Sequence, residues 1–139
     1  MPTPRVMAET VLTNYLDSGG LKYPVFTGCA AADKEPHFVA CTATSWEDEA
    51  INLGVFNVET KIEIKFHAGD KAAFDDFCQS VYNLLWLDND ALANALNAAI
   101  EGGGVYVHGV CNPHKGDFTT SDDIWIETIY LGLAISPTA

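Results

Sequence analysis

Apolar residues recur along this chain with two different periods, and the switches between them outline its elements. Near the start, Val6, Met7, Val11, Tyr15 and Leu16 return at helical spacing behind Thr3 and Pro4, a good cap and a good first helical position. The segment DSGG stops the run, so a helix is predicted from about Pro4 to Asp17. Between Leu21 and Pro36 the Pro, Gly and Ala content predicts an irregular arm with a short strand at YPVFTG. HFVACTAT favours a strand. After the acidic interruption SWEDEA the period becomes two: Val58, Thr60, Ile62, Ile64 and Phe66 alternate with Glu59, Lys61, Glu63 and Lys65. Such alternation puts one face of a strand on a core and the other in water.

Helical spacing resumes behind Asp70, where Phe74, Phe77, Cys78, Val81, Leu84 and Leu85 form an apolar stripe with Lys71, Asp75, Asp76, Gln79 and Asn83 mostly opposite. DNDALANALNAAI predicts a shorter helix with Leu92, Leu96 and Ile100 inward, stopped by Gly102 to Gly104. Val105 to Val110 and Ile124 to Ile135 predict two more strands, apolar at nearly every position and therefore central, with both faces covered. The polar segment CNPHKGDFTTSDD is read as the loop between them. The predicted fold class is α+β: a single domain over 1–139, with a mainly antiparallel sheet flanked by two or three helices in the order α-β-β-α-α-β-β. So few helices leave a sheet face open unless another subunit covers it or the sheet curls on itself.

Composition sharpens this picture in one respect. With 139 residues, 48% of them hydrophobic, the chain can bury one real core. Its 19 acidic against 7 basic residues give a formal charge of −12, which repels nucleic-acid phosphates and anionic membranes and argues against a DNA-reading module. That sign suits a protein lining a passage for DNA without gripping it, and equally an acidic protein with no such role. The first residues carry no basic cluster before a long apolar run, and no run of 18 apolar residues occurs, so a soluble product made in the cytoplasm is expected.

Candidate chemistry is sparse. Cys29, Cys41, Cys78 and Cys111 form no CxxC pair and are expected to be reduced and mostly buried. A zinc reading would use Cys111 and His114, spaced C-x2-H, with His108 or a distant cysteine, but a structural zinc site commonly draws on two close pairs. A cysteine nucleophile needs a histidine within reach. His37, His67, His108 and His114 are all available, and none stands in a local motif with a cysteine. EGGGVY follows a helix and opens a strand, the reverse of a phosphate loop. Trp46 to Ala50, WEDEA, lacks the alternating ligands of a calcium loop and reads as a solvated connection. No catalytic residue, cofactor or metal is expected.

The N-terminal helix, the PVFTG arm, HFVACTATSW, VETKIEIKFHAGD running into a helix, ALANALNAAIEGGGVYVHGV and the closing DDIWIETIYLGLAI together resemble the small neck or tail-completion proteins of long-tailed bacteriophages, tail terminators most of all. The resemblance covers nearly the whole chain in order, length and texture, and no invariant catalytic motif anchors it. It implies a structural virion protein rather than an enzyme, a small α+β domain that assembles into a ring, typically hexameric, at the head-proximal end of the tail. The partners implied are other copies of the chain, the tail tube protein and the head connector or a head-completion protein, with DNA passing through the lumen unbound and no membrane involved. Polarity and place suggest Trp46, Glu47, Asp48, Asn112, His114, Lys115, Asp117, Phe118 and Asp122 as interface residues. Asn112 to Asp123 would then be a hairpin loop reaching a neighbouring subunit or the tube, or else an ordinary exposed connection. Two alternatives stand beside this reading: another head–tail joining or minor tail protein, and a cytoplasmic α+β binding module or small enzyme in which the histidines and cysteines matter.

Overall fold

The structure, a computed structural model, describes residues 3–48 and 54–138. Its elements run α1 (Pro4–Asp17), β1 (Val25–Thr27), α2 (Gly28–Ala31), β2 (Phe38–Asp48), β3 (Phe56–His67), α3 (Lys71–Leu85), α4 (Asn89–Ala99), β4 (Val105–Thr120) and β5 (Ile124–Pro137). Side-chain caps start the three longer helices: Thr3 accepts from the Val6 N–H, Asp70 from that of Ala73 and Asp88 from that of Ala91. Behind α4, Gly102 and Gly104 take φ of 79° and 81°, a left-handed turn that glycine enters without strain, and the chain leaves the helix for β4.

The strands form a single sheet in the order β1-β2-β3-β5-β4, antiparallel except where β1 runs parallel to β2. The alternation read from β3 is present in space. Val58, Thr60, Ile62, Ile64 and Phe66 are buried beneath the helices, while Glu59, Lys61, Glu63 and Lys65 lie on the other face. β5 adds Ile129, Leu131, Leu133 and Ile135 to the same core, and β2 adds Val39, Cys41 and Ala43. Helices α1, α3 and α4 all pack on this face. The opposite face has one small apolar cluster, where Ala31 of α2 meets Phe38 and Ala40 of β2, with Phe26 against them.

Several expectations need correction. The two closing strands are not both central, because β4 is the edge of the sheet. Nor is the polar segment after Val110 a loop. β4 continues to Thr120 and pairs with β5 as far as Thr120↔Trp125, and only Ser121 to Asp123 turn. Three register shifts, between Val107/Gly109, Cys111/His114 and Lys115/Phe118, absorb the residues that break the alternation, Pro113 and Gly116 among them. Trp46 to Asp48 belong to β2 rather than to a connection, while Glu49 and Ala50 lie outside the described residues. Of the cysteines, only Cys41 and Cys78 are buried, and Cys29 and Cys111 are exposed. Of the apolar residues at helical spacing on α1, Val6 is exposed.

Candidate assembly surface

Two features of this fold are available to a partner: the sheet face that α1, α3 and α4 leave open, and the outer half of β4. The open face can be read row by row from the register. Asn57, Ala134 and Gly109 lie side by side at one end, then Glu59, Gly132 and Cys111, then Lys61, Tyr130 and His114. Farther along, Lys65, Ile126 and Thr119 form a row near the hairpin turn. Small residues make the first two rows a trough, a recess of about 280 Å³ walled on one side by Glu47. Across the third row His114 stacks on Tyr130, with ring centroids 5.6 Å apart. The face is neither a dry core nor a purely charged surface: Ile126, Tyr130 and Ala134 remain half-buried among Lys and Glu.

Among the described residues, the edge of β4 is guarded at Val107. Asn97 of α4 accepts from the Val107 N–H at 2.8 Å and donates to its carbonyl at 3.0 Å, closing the backbone groups that a neighbouring strand would otherwise use. The sequence reading missed Asn97 because a polar residue on a helix looks like any solvated position until the strand beneath it is known. Beyond Cys111 the described side chains of β4 are half-buried or exposed, and Phe118 stands 52% exposed.

Phe118 belongs to a second recess, on the helix side of the hairpin. Phe74 and Asp75 from α3 face Phe118, Trp125 and Glu127 across a cavity of about 410 Å³. Phe74 is the hub of its aromatics, with ring centroids 5.7 Å from Phe118 and 5.5 Å from Trp125. Glu127 lies directly across the ladder from Phe118. Burial and then the Glu127 carboxylate push the Tyr82 phenol up to about 12, and burial with the same carboxylate also pushes the Cys78 thiol up. Burial likewise raises the Cys41 thiol, to about 12. Burial thus disfavours the thiolate form of both.

The suggested interface residues do not converge on one spot. Trp46 and Glu47 sit at the far end of β2, opposite Val58 and Asn57, with Trp46 48% exposed. His114, Asp117, Phe118 and Asp122 lie on the hairpin, His114 on the open face and Phe118 on the helix side. Asp48, Asn112 and Lys115 have strand backbones in β2 and β4. The residues weighed for zinc are strung out along β4. His108 meets the Ser136 hydroxyl at 2.7 Å whereas His114 pairs with Tyr130, which at about 3.4 Å per residue of β5 puts them roughly 20 Å apart. Among the described residues no three His, Cys, Asp or Glu gather as a metal site. Likewise, no described helix is long and apolar enough to cross a membrane. A comparison with protein-family models and with curated proteins finds no match to the chain.

Proposed function

We propose that this chain is a structural subunit that assembles with copies of itself into a ring, and that the ring is of the tail-terminator kind, closing the tail tube of a long-tailed phage and joining it to the head connector. The observation that carries the reading is the outer half of β4, a strand edge with exposed side chains beside a sheet face that is half apolar and open. Edges of this kind are commonly blunted or covered, and among the described residues Asn97 closes this one at Val107. A face carrying half-buried Ile126, Tyr130 and Ala134 next to Lys61 and Glu63 has the mixed character of a subunit contact.

The two groups of candidate residues, Trp46 and Glu47 at one end and the hairpin at the other, suit a head-to-tail contact between different patches, the kind that closes into a ring. The charge of −12 suits a lumen that DNA traverses, since fixed negative charge disfavours phosphate contact. The same surfaces would serve another head–tail joining protein, and the partner met on each face of the ring separates the two roles.

Electron microscopy of the purified chain at high concentration tests the reading. Annular particles with a central opening are expected. Particles with no opening, or filaments from a contact that never closes, would set it aside.

A further inference from the structure

The recess between α3 and the hairpin has a chemistry of its own. Three rings line it, and Phe74 touches both of the others, leaving Phe118 half in water where burial gives it no reason to be. Aromatic faces carry negative charge density, and a carboxylate beside them adds a Coulombic pull on the same guest. Two carboxylates are present, Asp75 and Glu127. Asp75 is engaged, because the Lys71 ammonium lies 2.6 Å from its Oδ2. Glu127 lines the recess with no ion-pair partner among the described residues.

One of the chain's own cations, Lys71, also lines the recess, but its ammonium is held by Asp75 and is not among the cation–ring contacts. Among the described residues the cation–ring contacts are Lys22 over Tyr23, Lys34 over Phe26 and Lys65 over Phe38, all elsewhere. With Lys71 neutralised by Asp75, the rings and the Glu127 carboxylate, which has no ion-pair partner among the described residues, leave the recess complementary to one positive charge, on a chain with 19 acidic and 7 basic residues.

We propose that this recess receives one arginine side chain from an exposed basic segment of a partner protein, the guanidinium stacking against Phe118 and Trp125 and pairing with Glu127. Arginine fits better than lysine because its planar, weakly hydrated cation can lie on a ring and still present a fork of N–H donors to a carboxylate. The recess holds about 410 Å³, enough for one such side chain and its stem. The inference is independent of ring assembly. Assembly is read from particle shape and mass, and this site from peptide binding, so either can fail alone.

The test is a titration of the isotope-labelled full chain with acetyl-Gly-Arg-Gly-amide, followed by NMR at the Trp125 indole N–H. The control peptide carries citrulline, which keeps the shape and loses the charge. A saturable shift at Trp125 is expected with the arginine peptide and binding about tenfold weaker with citrulline. Glu127→Gln should weaken the arginine peptide by about tenfold. Should that variant unfold, Phe118→Ala decides, since Phe118 is an exposed edge residue whose loss leaves the core intact. The proposal is overturned by no saturable shift at Trp125, by equal binding of both peptides, or by arginine binding that Phe118→Ala leaves unchanged.

Discussion

At Gly116 the ring of Tyr130 occupies the space that a side chain would need. A Cβ there would lie 2.6 and 2.9 Å from the Tyr130 Cε2 and Cδ2, closer than real side chains come, and 3.0 Å from the Thr128 carbonyl oxygen. Gly116→Ala should therefore push the ring aside and weaken the hairpin, lowering stability by about 1–2 kcal/mol in urea unfolding, with the chemical-shift changes centred on Tyr130 and its stacking partner His114. Glu9 is a second residue whose role only space reveals. It is 3% exposed on α1, pairs with Arg5 and accepts the Ala43 N–H at 3.0 Å where β2 shifts register. In sequence it occupies an ordinary polar slot of a helix. Titration gives a further residue-scale prediction. Burial raises the thiols of Cys41 and Cys78 and the phenols of Tyr15 and Tyr82. The folded chain thus keeps these protons to higher pH than the unfolded chain does, and their contribution is complete below the ordinary thiol value of 9.0 and is lost as pH rises toward 12. The urea midpoint should hold steady up to about pH 8.5 and fall above it, less steeply in Cys41→Ala.

Among the elements, those set by period were legible and those set by neighbours were not. The helix Lys71–Leu85 and the strand Phe56–His67 each carry one strong period and a clear cap or break, and the helix Pro4–Asp17 a clear cap and stop, so the sequence states them directly. The hairpin was misread because β4 is an edge. Its outer half needs no apolar alternation, and its Pro113 and Gly116 sit near register shifts that a sequence pattern does not show. β5, by contrast, is paired along its length with β3 on one side and with β4 on the other. Hydrogen exchange should separate the two strands. In the unassembled chain the amides of Thr128 to Ile135 should be among the slowest and those of Gly116 to Thr120 among the fastest in the sheet. If the β4 edge is an assembly surface, the latter should slow sharply at concentrations where the chain associates. Unchanged exchange there in an associated sample would move the contact elsewhere.

For the whole molecule, the candidate site was legible only as a place. Of the residues suggested on the hairpin, His114, Asp117, Phe118 and Asp122 are exposed, while the open sheet face and the recess behind Phe118 arise from register and layering that no spacing in the chain announces. Three helices pack on one face and leave most of the other open, and the charge of −12 means that identical copies repel until salt screens them. Light scattering gives the absolute mass of the purified chain across concentration and salt, and it tests assembly most directly. A discrete species of roughly six copies of the 15.0 kDa chain is expected, gaining population as salt rises from about 0.05 to 0.3 M. A 15.0 kDa monomer at every concentration and salt, or a dimer that grows no further, would contradict it.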